Sequence, residues 1–357
     1  MEKGQNRLPL YALLIKYREL GLLFILFLIV VAVSLRNPAF ATASNLLFIL
    51  EDTAILAILA AGMMCVLLVG SIDISISAIM AFSAMTTGIL MRGFLNVGEA
   101  SVVMDGVEKA ATFRESLPLA VLVLIGISTG AALGFLNGTV IAYGNVLPII
   151  TTLGMQYIIY GASHIISGGQ AVYRKDMSDA FYQFTRAEPL GIDSKIWILA
   201  GVYLLLFLFI TYFRTGRNLY AVGSNMEAAA MRGIPVKRRK VLAHVIMGAL
   251  AGLAGLLYAS RDTKITQDMA AGYEMYVIAA CVIGGVAVTG GSGKIWGVLL
   301  GALTIGVINN GLTMMRLTGS SEFWKKAMQG SLILAAVVSN VLLQRVMDRQ
   351  NLRRRNI

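Results

Sequence analysis

The sequence predicts an all-α integral membrane protein of about ten transmembrane helices, with both termini cytoplasmic. Three observations carry this reading: a composition poor in charge, a succession of apolar runs of bilayer length, and dense basic clusters between particular runs. Of the 357 residues, 57% are hydrophobic and 14% charged, and the mean hydropathy is +0.75. A soluble domain carries roughly 25% charged residues, so this chain is too poor in charge to clothe a water-facing surface. That excludes a cytosolic enzyme, a DNA-binding domain and a disordered tail. Cys65 and Cys281 lie inside apolar runs, which argues against a disulfide framework or a metal cluster. His164 and His244 are too few for a histidine metal site or relay.

A bilayer core about 30 Å thick takes roughly 17–25 apolar residues per helix. The candidate spans are 19–35, 46–70, 74–91, 117–144, 149–166, 196–213, 241–260, 275–290, 295–314 and 323–343. Some are short or interrupted by glycine, which brackets the count at nine to eleven. Lys16 and Arg18 before the first run and Ala41-Thr42-Ala43 after it imitate a signal peptide. Its length and the nine spans behind it favour an uncleaved helix. With the N-terminus inside, segments 1–18, 214–240 and 344–357 together with Lys294 hold 17 of the 30 Lys and Arg. Most of the acids fall on the outer side. The net charge of +11 then belongs to a cytoplasmic membrane surface, and nucleic acid is not needed to explain it. One domain, 1–357, is expected, with a cytoplasmic loop at 214–240 and polar outer loops at about 93–116 and 167–195. Five spans per half would invert a second repeat relative to the first, an arrangement that suits a transporter, although no internal sequence repeat is evident.

Gly126, Gly130, Gly134 and Gly138 form a ladder at spacing four, and Gly248/Gly252 and Gly297/Gly301 repeat it. Such a stripe lets another backbone approach closely, more plausibly within one bundle than across a dimer seam. Between the second and third runs stands Gly70-Ser71-Ile72-Asp73-Ile74-Ser75-Ile76-Ser77. A carboxylate within a membrane costs roughly 2.5–3.5 kcal/mol on insertion scales, so Asp73 should face protein or water. Two readings stand: a helix cap near the inner interface, or a group on a solute path. Asn137, Thr151, Thr152, Gln156, Asn309 and Asn310 are the other polar residues within apolar runs. Uncharged amides and hydroxyls suit a neutral hydroxylated solute, and interhelical hydrogen bonding explains them equally well. The candidate path residues are Asp73, Ser75, Asn137, Thr151, Thr152 and Asn309.

In 214–240, Ser224 or Asn225 can cap a short helix through Ala228–Ala230, ended by Gly233 and Pro235. So short a helix is marginal in water and would be ordered by docking, with Arg232 offering a fork to a partner carboxylate. A solvated basic loop is the plainer alternative. Here the sequence becomes recognisable. Gly216-Arg217-Asn218-Leu219-Tyr220-Ala221-Val222-Gly223-Ser224-Asn225 followed by Glu227-Ala228-Ala229-Ala230-Met231-Arg232-Gly233-Ile234 closely resembles the coupling loop of ribose-type ABC permeases. The resemblance continues at 70–77, 148–154, 272–274, 283–285, 290–297, 309–312 and Phe323-Trp324, in order over most of the chain. It implies a ten-span permease of the bacterial cytoplasmic (inner) membrane that imports a monosaccharide or related polyhydroxylated solute. It also implies a second permease copy or a paralogue, a cytoplasmic ATPase and an extracytoplasmic solute-binding protein. Glu227, Ala228, Ala229, Arg232 and Gly233 would couple to the ATPase. No catalytic group, metal or cofactor is expected on this chain, ATP being bound by the partner. The outer segments at about 93–116 and 167–195 are longer than that pattern leads one to expect.

A single-chain ion-coupled carrier is the nearest rival, with Asp73 its only candidate carboxylate. An intramembrane serine protease is more remote. Gly290-Gly291-Ser292-Gly293 with His164 or His244 as base imitates one, but the tetrapeptide fits a turn directly. Gly293-Lys294 resembles the end of a phosphate loop, but Ile295 and Val288 stand where Ser/Thr and the first glycine belong.

Overall fold

The computed structural model describes residues 18–104 and 107–315, with residues 324, 327, 330, 331, 334 and 338 beyond them. The last expected span and both terminal basic segments lie mainly or wholly outside the described residues. Among the described residues eight helices are long and apolar enough to cross a membrane: α1 (Arg18–Arg36), α2 (Ala43–Leu68), α3 (Ile76–Gly93), α4 (Leu119–Gly144), α5 (Pro148–Ser167), α7 (Ser194–Tyr212), α10 (Val236–Asp262) and α12 (Ile295–Met314). Between them lie three short helices, α6 (Asp179–Gln183), α8 (Arg214–Ser224) and α9 (Met226–Met231), and one of intermediate length, α11 (Tyr273–Ile283).

Helix α2 is the axis of the bundle. From Thr53 to Leu68 every residue is buried, because it is apolar on all sides and α7, α10, α11 and α12 surround it. Helices α4 and α7 instead expose large apolar side chains, including Leu124, Phe135, Leu204 and Leu205. In a membrane-spanning chain these are lipid-facing surfaces. The glycine ladder packs inside the bundle. A side chain at Gly130 would strike Gly248 and Gly252 of α10, and one at Gly134 would strike the His244 carbonyl. The two glycine stripes thus face each other, and α4 and α10 touch backbone to backbone.

One segment differs from the sequence expectation, and two take a form that it left open. The span expected at 275–290 is helical only over Tyr273–Ile283. Gly284 closes the helix and Gly285 turns away at φ 91°, and eleven residues rise about 16 Å, half a bilayer core. Within 93–116, β1 (Asn96–Met104) pairs antiparallel with β2 (Val107–Glu115), from Asn96↔Glu115 to Met104↔Val107. The stretch 167–195 folds as a cap. Its β3 (Val172–Tyr173) pairs with β4 (Lys264–Ile265), Ser178 caps α6 by accepting the Phe181 N–H, and Phe181 is fully buried. Arg186 donates to the carbonyl oxygens of Ser260 and Arg261, both at 2.7 Å, satisfying the free end of α10. Asp179 ties the hairpin to this cap, since its Oδ2 accepts the Arg114 N–H at 2.8 Å while Oδ1 pairs with Arg174.

Candidate functional site

The polar cluster begins where α2 stops. Gly70 adopts φ 71°, a conformation that favours glycine, and the chain reverses through 69–75 into α3. Asp73 Oδ1 accepts the Ser75 N–H at 2.9 Å and the Ser75 hydroxyl at 2.6 Å. The Asn137 amide of α4 donates to Ser75 Oγ at 2.7 Å and, more weakly, to Asp73 Oδ2 at 3.4 Å. From α5, Thr152 Oγ1 accepts the Ile74 N–H at 3.2 Å and donates to the Pro148 carbonyl at 2.9 Å. One turn on, Gln156 donates to Ser77 Oγ at 3.2 Å. Asp73, Ser75, Ser77, Asn137 and Thr152 are all 0% exposed.

Four of the six candidate path residues, Asp73, Ser75, Asn137 and Thr152, thus meet in one cluster drawn from three elements. The Asp73 contact with the Ser75 N–H is a local turn just ahead of α3, whose N-cap Ser75 makes no side-chain cap bond, and among the described residues neutral donors satisfy the carboxylate. Thr151 is buried beside the cluster, with no hydrogen-bond partner for its hydroxyl. Asn309 lies elsewhere, half-buried on α12, its carbonyl accepting the Thr313 hydroxyl at 2.8 Å. Its neighbour Asn310 accepts from the Asn45 amide at 3.2 Å. His244 uses Nδ1 on the Lys240 carbonyl at 2.9 Å and packs against the α4 glycine ladder, a structural setting.

The second part of the site is the 214–240 segment, which is almost wholly helical. Helix α8 is amphipathic, burying Gly216, Leu219 and Val222. Asn225, rather than Ser224, caps α9, its Oδ1 accepting the Ala228 N–H at 2.9 Å. The turn after α9 closes through Gly233 at φ 75° and an Ile234 N–H to Ala229 carbonyl bond of 3.0 Å. The five coupling candidates divide: Ala229 is buried and Ala228 half-buried, while Glu227, Arg232 and Gly233 are exposed. Met231 is 84% exposed. Sequence reasoning passed over it; the signal was a large apolar residue near the end of a small alanine helix.

Helix α8 is keyed to the rest by close backbone approach as well as by side chains. A Cβ at Gly223 would strike the Leu68 carbonyl and lie 2.5 Å from Gly291 N. Gly291, at φ 75°, donates to that same Leu68 carbonyl at 3.0 Å. The Tyr220 hydroxyl donates to the Gly293 carbonyl at 3.0 Å, and its burial pushes its pKa up to about 12. The Gly-Gly-Ser-Gly tetrapeptide is therefore a turn that seats α8 against the end of α2, next to the segment bearing Asp73.

A third feature is the open face of α5. Leu153, Gly154, Tyr157, Ile158, Gly161 and His164 are exposed, and a Cβ at Gly154 or Gly161 would meet nothing within 4 Å. Glycine, tyrosine and histidine are interspersed here with exposed aliphatic residues, Ile149, Ile150, Ile165 and Ile166.

Residues 45–337 match the family described as branched-chain amino acid transport system / permease component. The ribose import permease protein RbsC of Escherichia coli (strain K12) is 33% identical over 318 residues, 88% of this chain and 91% of that protein. The D-allose transport system permease protein AlsC of the same strain is 32% identical over 326 residues, 91% and 92% of the two chains. The galactose/methyl galactoside import permease protein MglC, also of that strain, is 29% identical over 345 residues, 91% and 94%. No solved structure matches.

Proposed function

The chain belongs to the branched-chain amino acid transport system / permease component family, on its ribose-type sugar branch, and from that premise we propose how it works. It is a multi-pass transport subunit of the bacterial cytoplasmic membrane, not an enzyme. In the proposed system it imports a monosaccharide or a related small polyhydroxylated solute delivered by an extracytoplasmic binding protein, and the ATP is bound and hydrolysed by a separate cytoplasmic ATPase. Helix α9 seats in that ATPase through Glu227, Met231 and Arg232, while Ala228, Ala229 and Gly233 shape its close fit and its return turn. Two copies of the chain, or this chain and a paralogue, face each other across the open side of α5, whose glycines permit close approach. The solute passes between them as the bundles alternate between two packings. Thr151, Thr152 and Asn137 lie near the inner end of that path, Asp73 and Ser75 hold its wall together, and Asn309 serves the opposite end of α12.

The observation that carries this proposal is the two-sided construction of α8–α9. One side presents Glu227, Met231 and Arg232 outward, and the other is locked by Gly223 and Gly291 to the end of α2, beside the turn that holds Asp73. A solvated loop needs no such lock. The test is reconstitution with the ATPase and the binding protein in proteoliposomes. ATP-dependent monosaccharide uptake is expected, with Arg232→Glu or Met231→Asp lowering ATPase copurification and uptake at least tenfold. Uptake by the chain alone, driven by an ion gradient without ATP, would overturn the proposal.

A further inference from the structure

A groove of about 560 Å³ runs between the last turns of α4 and the first turns of α10. Its polar end is formed by Tyr143 and Arg238, and its walls by Phe135, Val241, Leu242 and Val245, with Thr139, whose hydroxyl donates to the Phe135 carbonyl, between. The helical spacing orders these residues along the membrane normal. On α10, Arg238, Val241, Leu242 and Val245 fall at i, i+3, i+4 and i+7, one face that descends about 10 Å from charge to hydrocarbon. On α4, Tyr143 and Phe135 lie two turns apart on a matching stripe. The groove therefore has a cationic aromatic mouth at the helix ends and an apolar trough leading into the bilayer.

The charge at the mouth is uncompensated. Lys237, Arg238, Arg239 and Lys240 are consecutive, and among the described residues none of them pairs with a carboxylate. Lys237 sits 5.3 Å over the Tyr143 ring. The four cations occupy the opening turns of α10, where the helix dipole is already positive and repels them. Such an arrangement calls for an external anion, and its continuity with an apolar trough on a lipid-facing surface specifies an anion that carries acyl chains.

We infer that the α4–α10 groove binds a phospholipid with an anionic headgroup, its phosphate held by Arg238 and Lys237 and one acyl chain lying along Phe135, Val241, Leu242 and Val245. Basic pockets between transmembrane helices on the cytoplasmic side are suited to such headgroups. The inference needs only that the chain spans a bilayer, and it is independent of the cargo.

The test is native mass spectrometry of the purified full chain titrated with phosphatidylglycerol and, separately, phosphatidylcholine. Retention of phosphatidylglycerol in preference to phosphatidylcholine is expected. Each charge removed should weaken it about fivefold, so the exposed double variant Lys237→Gln/Arg238→Gln should lose about twenty-five-fold. Val245→Trp should block the trough while leaving the charge intact and also lower retention. Arg217→Gln, a basic change away from the groove, should leave it unaltered. Equal retention of the two lipids, or undiminished preference in the double variant, overturns the inference. So does displacement of the lipid by millimolar inorganic phosphate, which would mark a simple ion site. Loss of ATPase copurification with lipid retention unchanged would assign the cluster to a protein partner and likewise overturn it.

Discussion

Substituting Gly223 by alanine tests the lock between α8 and the bundle with one methyl group. The added Cβ has nowhere to go: its neighbours are the Leu68 carbonyl group, Gly291 N and the flanking backbone, with no flexible side chain among them. Overpacking against a fixed surroundings costs about 1–3 kcal/mol, and loss of the 3.0 Å Gly291 N–H to Leu68 carbonyl bond adds about 1 kcal/mol. The combined cost is about 2–4 kcal/mol. Expressed as undocking of α8 from the end of α2, that cost is a shift of roughly 30- to 800-fold in the docking equilibrium. The assay is solute imported per ATP hydrolysed in proteoliposomes, beside hydrogen exchange of the α8 amides. In the proposed system Gly223→Ala should still copurify with the ATPase, since the proposed docking residues Glu227, Met231 and Arg232 are untouched, yet import at least tenfold less solute per ATP and exchange the α8 amides faster. A variant with the wild-type ratio and unchanged protection would refute the reasoning.

Two further outcomes follow from the clusters. Asp73→Ala leaves the Ser75 N–H and hydroxyl without an acceptor in a fully buried site and should destabilise the chain by roughly 1–3 kcal/mol; Asp73→Asn, which keeps an acceptor oxygen, should cost clearly less by thermal unfolding in detergent. At Asp179 burial acts to raise the carboxyl pKa, but the hydrogen bonds from Arg174 and the Arg114 N–H outweigh it and hold the group below its ordinary 3.8. A depressed folded value means that the contribution is present above the unfolded pKa and is lost as pH falls through the folded one, so the hairpin anchor should loosen below about pH 4. Hydrogen exchange at Arg114 should rise across that window in the wild type and show no such step in Asp179→Asn.

The long spans were legible because a hydropathy run of bilayer length has few other readings. The failures have local causes. Helix α8 escaped because its polar residues outnumber the buried Leu219 and Val222, so no window average revealed it, although that spacing is helical. The hairpin at 96–115 had its signal in Asp105-Gly106, a pair suited to a two-residue hairpin connection, which a reading tuned to apolar runs overlooked. Gly284-Gly285 inside the expected span at 275–290 was the mark of its early end. For the site, the Asp73–Ser75 contact spans two residues and could be read locally. The convergence of Asn137 and Thr152 on it depends on how deeply α4 seats against α10, which two separate glycine stripes set together. Neither stripe names its partner in the sequence.

The placement of the glycines also bears on how motion would travel in the proposed cycle. Those between α4 and α10 hold two long helices at backbone contact over several turns, which leaves that pair little freedom to rearrange. Gly70, Gly223, Gly290 and Gly291 instead join two turns and the end of α8 at one end of the bundle, three of them at positive φ. A displacement of α9 therefore acts first on the 69–75 turn. From there the Asp73 cluster hands it to α5 through Thr152 and, one turn on, through Gln156 and Ser77. Helix α5 receives it with a largely exposed far face. An anchored first turn and an open flank make α5, rather than the α4–α10 pair, the element whose rocking requires the least repacking.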